Sequence, residues 1–202
     1  MKKIGIYGGS FDPPHNGHQA IIKNAMEDLG LQKMLVLPSY KPPHKDGGVA
    51  CFEDRFAMAE RAFCGIGRPG AVEVLATEKE QGFSYTIDTL RHLRKTFPKE
   101  SMFHLIIGSD MLFYFSKWYK YEAILKECKV VGFPREANAY TDMIEEAEHL
   151  GRVKVLNMEV TEISSSEIRE KLSRGADVSG LIPVLVLEYI NEKKLYSHHI
   201  AR

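Results

Sequence analysis

The chain has 202 residues, enough for one compact α/β unit with a real hydrophobic core. Hydrophobic residues make up 44% and charged residues 27%, a globular balance that excludes a disordered chain. Lys plus Arg and Asp plus Glu both number 27, so the formal net charge is zero. That excludes a nucleic-acid binder working through bulk positive charge, and an anionic ligand must be held by a local cluster.

The three cysteines, Cys51, Cys64 and Cys128, form no C-x-x-C pair and are odd in number. This argues against a disulfide framework or a zinc knuckle and fits a reducing, cytoplasmic setting. Met1-Lys2-Lys3 opens like a signal peptide, but Gly5, Gly8 and Gly9 arrive before an apolar stretch can form. The longest apolar run, residues 181–187, contains Pro183 and is too short to span a bilayer, so no membrane partner is expected.

The chain opens with a predicted strand over residues 3–7. GGSFDPPHNGH, Gly8 to His18, follows directly and leads into a predicted helix over 17–29. Gly8 and Gly9 are read as permitting a tight turn and close backbone approach to a ligand. His15 and His18 are three residues apart, so the first helical turn puts both imidazoles on one side. There they flank a helix start, whose N–H groups and dipole favour an anion. A glycine turn, a helix start and two imidazoles converge on a triphosphate site. Each histidine alone reads as an ordinary surface or core residue, and zinc would need a third ligand.

Ile21, Ile22, Ala25, Met26 and Leu29 share one face of that first helix, and Gly30 is a natural stop. Further strands are predicted over 33–37, 72–75, 102–107, 129–133 and 153–156. Helices are predicted over 52–64, 86–95, 121–126 and 142–150, with two closing helices over 166–174 and 183–193. Gly65 to Gly70 spells G-x-G-x-x-G, but it follows a helix and precedes a strand, the reverse of a dinucleotide-binding context. The alternation predicts one doubly wound, Rossmann-like parallel sheet with helices on both faces, a single domain over 1–202 whose C-terminal helices from about 164 pack on the sheet. Ligands in such sheets bind beyond the carboxyl ends of the strands, where strand order reverses. Late in the chain ISSSEIR, Ile163 to Arg169, pairs Ser164 with Glu167 as a capping box, and Arg169 one turn in can reach phosphate. Alone, this segment reads as a well-capped helix with a solvated arginine.

Together the two segments resemble the adenylyltransferase branch of the nucleotidyltransferase superfamily. PSYKPPHK (Pro38 to Lys45), FSYTIDTL (Phe83 to Leu90), IIGSDML (Ile106 to Leu112), Trp118-Tyr119 and IPVLVLEYINEKKLY (Ile182 to Tyr196) follow in order. The set resembles the bacterial nicotinate-nucleotide adenylyltransferases over nearly the whole chain. That resemblance implies adenylyl transfer from ATP to nicotinate mononucleotide, giving deamido-NAD and pyrophosphate in NAD biosynthesis, with Mg²⁺ chelated by ATP and no dedicated protein metal site. It implies that His15, His18 and Arg169 carry the reaction and contact the ATP phosphates, with Ser165 and Ser166. Gly9, Ser10 and Phe11 would line the nucleotide cleft, with Asp12 at its floor, and Gly108 and Asp110 would hold the adenosine ribose. Lys41 and His44 would approach the mononucleotide phosphate. Trp118 would stack on the pyridine ring, with Tyr85 and Thr86 beside it; core packing is the other reading of a lone tryptophan. One departure concerns the segment after the fifth strand. The family shows Arg-Pro-Gly there, whereas this chain has Gly132-Phe133-Pro134-Arg135-Glu136, so no role is assigned to Arg135. A nicotinamide-mononucleotide or phosphopantetheine adenylyltransferase and a non-catalytic nucleotide sensor are the alternatives, and a homo-oligomer is left open.

Overall fold

The computed structural model describes residues 2–40, 50–136, 139–158 and 163–197. Its centre is a six-stranded, wholly parallel sheet: β1 (Lys3–Gly9), β2 (Lys33–Pro38), β3 (Val72–Val74), β4 (Met102–Gly108), β5 (Lys129–Phe133) and β6 (Val153–Val155). Strand order is β3-β2-β1-β4-β5-β6. The chain winds outward from β1 to β3, returns to place β4 against β1, and winds outward the other way. β1 and β4 therefore diverge at a switch point, and the crevice beyond their carboxyl ends is the fold's ready-made ligand site.

The helices cover both faces. On one face α1 (Asn16–Leu29), α2 (Phe52–Phe63), α8 (Ser165–Ser173) and α9 (Val184–Lys193) bury Ile22, Met58, Ile168 and Val186 against Tyr7, Ile106 and Phe133. On the other, α4 (Thr86–Thr96), α5 (Ser109–Phe113), α6 (Tyr121–Glu127) and α7 (Ala139–Leu150) bury Leu90, Leu112, Ile124 and Met143 against Ile6, Leu105 and Ile107. Alternate residues of each central strand thus serve opposite layers, and β1, β2 and β4 are buried along most of their length because both faces are covered. α1 ends where expected, with Gly30 in the left-handed conformation (φ 60°) and its N–H bonded to the carbonyl of Glu27.

Three short elements are additions to the sequence reading: α3 (Thr77–Gln81), α5 and a 3-10 turn over Phe115–Lys117. Each is too short to show a helical period. The larger correction concerns the glycines after strand one. Gly8 and Gly9 are the last residues of β1, and neither has a positive φ. The turn is made by Phe11, at φ 48°. That costs a non-glycine residue on the order of 1 kcal/mol or more, offset here by a ring that is only 1% exposed. Gly9 matters for another reason: a Cβ there would lie 3.0 Å from the Phe11 ring. The Gly65 to Gly70 segment forms the turn between α2 and β3 and does not line the site.

Candidate active site

A cleft of about 1380 Å³ opens at the switch point, lined by both helical layers and by the carboxyl ends of β1, β2, β4 and β5. Single drug-sized ligands occupy about 300–1,000 Å³. The excess is room for two nucleotide-sized reactants side by side.

At one end stand the two histidines. His15 is the N-cap of α1 and His18 its third residue, and their rings stack with centroids 3.6 Å apart. The backbone N–H of His15 donates to His18 Nδ1 at 3.1 Å. That bond makes Nδ1 the acceptor, so neutral His18 carries its proton on Nε2. Both imidazoles are buried, and His18 packs edge-on against Phe11 and tilted against Tyr7. Burial pushes His15 down to about 4 and His18 well below the ordinary histidine value, and the Arg135 guanidinium lowers both further. At neutral pH both rings are therefore uncharged.

The two motif segments meet although more than 150 residues separate them. Ser165 Oγ donates to the carbonyl of Pro13 at 2.9 Å, and Arg169 Nη1 donates to that of Asp12 at 2.7 Å. Ser164 caps α8 by accepting from the N–H of Glu167. Asn16 ties the start of α1 to the carbonyls of Leu181 and Gly180. The first turns of α1 and α8 therefore both open onto the cleft, through Gly17, His18, Ser165 and Ser166.

Gly9, Ser10, Gly108 and Asp110 line the cleft as expected positions, while Phe11 and Arg169 do not. Phe11 packs inward against Tyr7 and Phe63. Arg169 turns toward Asp12, with Nη1 at 3.5 Å from Oδ2, and toward Ser166 Oγ. Asp12 is fully buried behind the loop rather than at the cleft floor; its Oδ1 accepts from the Tyr196 hydroxyl (2.7 Å) and the Ala50 N–H (3.1 Å). It joins the loop to the α2 approach and the C-terminal segment.

At the far end the cleft is aromatic. Trp118 is half-buried against Phe115, and Tyr85 and Tyr119 lie ring on ring at 4.5 Å. Tyr85 is the N-cap of α4 and Thr86 its first residue, so the helix start faces the same space. The Thr89 hydroxyl is buried in the cleft wall without a hydrogen-bond partner among the described residues. Lys41 and His44 lie outside the described residues.

Sequence reasoning missed several residues here. Arg55 is 2% exposed, yet it donates to the carbonyls of Ser10, Ser39, Tyr40 and Ala50, binding the β1 and β2 loops together. The signal was present, because Arg55 sits on the apolar stripe of α2 with Phe52, Met58, Ala59 and Ala62. Glu78 of α3, which accepts from the Tyr40 N–H, had no such signal, and Tyr119 was quoted only as part of the Trp118-Tyr119 motif, with no role given to it. Among the described residues no helix is long and apolar enough to cross a membrane, and no cluster of His, Cys, Asp or Glu could hold a metal.

Comparison with known proteins agrees with this geometry. Residues 6–171 match the cytidylyltransferase-like family. A Thermotoga maritima protein named probable nicotinate-nucleotide adenylyltransferase is 38% identical over 184 residues, covering 90% of this chain and 87% of its own. A Bacillus cytotoxicus protein of the same name is 38% identical over 200 residues, covering 97% and 99%. Among solved structures, the Plasmodium falciparum nicotinic acid mononucleotide adenylyltransferase complexed with NaAD shares the fold with a TM-score of 0.78 at 22% identity, covering 97% of this chain and 98% of its own. The site, its motifs in order and these full-length matches together show that the chain belongs to the nicotinate-nucleotide adenylyltransferases of the cytidylyltransferase-like family.

Proposed function

We propose the following division of labour for the adenylyl transfer from ATP to nicotinate mononucleotide that this chain, as a nicotinate-nucleotide adenylyltransferase, carries out. The mononucleotide phosphate attacks the α-phosphorus of ATP, an oxygen–phosphorus bond forms, and pyrophosphate leaves. Such transfers depend on in-line positioning and charge stabilisation rather than on a covalent protein intermediate. ATP lies along the histidine end, its phosphates facing the neutral N–H donors of His15 and His18 and the first turns of α1 and α8 with Ser165 and Ser166. Arg169 supports this end through its bond to the Asp12 carbonyl. Mg²⁺ enters as the counter-ion of ATP and belongs to the substrate. Asp110 accepts from the adenosine ribose hydroxyls beside Gly108. Three unpaired cysteines suit a reducing cytoplasm.

The pyridine ring stacks in the aromatic end on Trp118, with its carboxylate at the start of α4. One observation carries this assignment: Tyr85 and Thr86 begin a helix at the cleft wall that Trp118 also lines, and the N-cap side chain makes no bond to its first N–H groups. Those groups carry partial positive charge and give a carboxylate charge-assisted bonds. A carboxamide would turn its NH₂ donor toward donors and leave groups unpaired. No Lys or Arg lies between Gly82 and Leu90, so the helix start alone reads the anion. The test is pyrophosphate release from ATP with nicotinate mononucleotide, nicotinamide mononucleotide and phosphopantetheine as acceptors. Nicotinate mononucleotide should give the highest kcat/KM; equal or better turnover of the amide would overturn the assignment of α4, and phosphopantetheine turnover would overturn the aromatic subsite.

A further inference from the structure

The C-terminal segment reaches back to the loop that carries His15. After α9 the chain passes through the left-handed region twice, at Lys194 (φ 53°) and at Tyr196 (φ 62°). That conformation is costly for a residue with a side chain and persists only where surrounding contacts over-determine it. At Lys194 the reason is local, because this residue is the C-cap of α9 and its N–H bonds the carbonyl of Asn191. Tyr196 closes no helix. Its side chain holds it: the ring packs with Leu195 against the layer of α1, α2, α8 and α9, and the hydroxyl donates to Asp12 Oδ1 at 2.7 Å.

Asp12 is fully buried, and a buried carboxylate needs donors and a counter-charge. Its two oxygens face different groups. Oδ1 accepts from the Tyr196 hydroxyl and from the Ala50 N–H at 3.1 Å, both uncharged. Oδ2 lies 3.5 Å from Arg169 Nη1, which also donates to the Asp12 carbonyl at 2.7 Å. The last torsion of an aspartate is broad and roughly twofold, so the contacts at Oδ1 fix where Oδ2 points. A phenol suits that task. Burial and the Asp12 charge push the Tyr196 pKa far above the ordinary tyrosine value, so it stays a donor at any working pH. A lysine there would compete with Arg169 for the carboxylate, whereas the neutral hydroxyl does not.

We propose that Tyr196 is a positioning residue for adenylyl transfer, its hydroxyl orienting the Asp12 carboxylate and through it the Arg169 guanidinium at the start of α8. The inference rests on ATP lying at the histidine end. Tyr196 does not line the cleft and touches no reacting atom. Its effect passes from Asp12 to Arg169, and from Arg169 Nη2 to Ser166 Oγ at 3.2 Å, which does line the cleft beside Ser165 and His18. Groups held for in-line transfer lose about a hundredfold in rate when displaced by about 1 Å, so a small rotation at Asp12 is enough to be felt.

The test is Tyr196→Phe, which keeps the ring and removes the hydroxyl. Pyrophosphate release is measured with ATP and nicotinate mononucleotide varied in turn, well below Tm. Tyr196→Phe should lower kcat/KM for ATP about tenfold or more and leave the mononucleotide KM within about twofold. Leu195→Ala loosens the same segment but keeps the hydroxyl; it should lower Tm and change kcat/KM for ATP by about twofold or less. In an Arg169→Lys background the Phe substitution should cost about threefold or less, since the group that Tyr196 orients is already altered and coupled effects do not add. A Tyr196→Phe enzyme no more impaired toward ATP than Leu195→Ala, or a full tenfold loss retained in the Arg169→Lys background, overturns the proposal. If the coupling to Arg169 appears but the loss falls on the mononucleotide KM, the placement of ATP at the histidine end fails and the positioning role of Tyr196 stands.

Discussion

Replacing His15 by Asn exposes what burying the histidine pair costs. Folded His15 titrates at about 4 against an ordinary value of 6.5, burial being the main cause. A group whose proton affinity is lower when folded binds more protons when unfolded. Its stability contribution is therefore intact above pH 6.5 and is lost as pH falls toward 4. The slope is 2.303RT per proton, so between pH 7 and pH 5 this one residue removes about 2 kcal/mol. For a chain of this length that is roughly 4–8 °C in Tm. His18, lowered in the same direction, adds to the wild-type loss. His15→Asn keeps a helix N-capping side chain and the backbone N–H that donates to His18, but it does not titrate.

The assay is thermal melting of both proteins at pH 7 and pH 5. The wild-type Tm should fall by about 4–8 °C more than that of the variant. A non-hydrolysable ATP analogue should reduce that difference, because phosphates beside the ring favour its charged form. Parallel Tm curves would refute the reasoning, showing that His15 is not held neutral by burial.

Three further outcomes are expected. His18→Ala should lower kcat by about a hundredfold or more, with little change in mononucleotide KM, since it removes a preorganised donor; near-normal turnover of the folded variant counts against that role. Trp118→Ala should raise the mononucleotide KM by a factor corresponding to about 1–3 kcal/mol of lost stacking while sparing the ATP KM; a lowered Tm with an unselective kinetic change would mark Trp118 as packing only. Arg55→Met should destabilise by about 3 kcal/mol or more, roughly 6–12 °C in Tm, because buried carbonyls of the two loops lose their donor; a drop below about 2 °C would show that those loops hold without it.

The strands were legible because each is an apolar run closed by glycine, proline or charge, and the start of α8 was legible because Ser164 and Glu167 encode a cap. Strand order was not written in any local pattern; it follows from which crossover returns to β1. The histidine pair could be placed by spacing alone, since α1 fixes residues three apart on one side. The supports of that pair could not. Arg55 spends its donors on backbone carbonyls, which have no sequence signature, and Asp12 meets Tyr196 across 184 residues of chain. The turn was misplaced because a glycine-rich loop suggests that a glycine makes it, whereas Phe11 does. The burial of its ring decided otherwise.

Among the described residues the cleft carries few fixed positive charges, and the reaction gives a reason. Pyrophosphate is both the leaving group and the anion most strongly held by a cluster of permanent cations. A site that bound ATP through several free arginines would bind the product comparably, and uniform binding does not raise kcat. Neutral imidazole N–H groups and helix starts act differently: their dipoles are fixed, and they respond most where charge grows as the α-phosphorus changes partners. Low proton affinity in His15 and His18 serves this by keeping them uncharged until phosphate arrives.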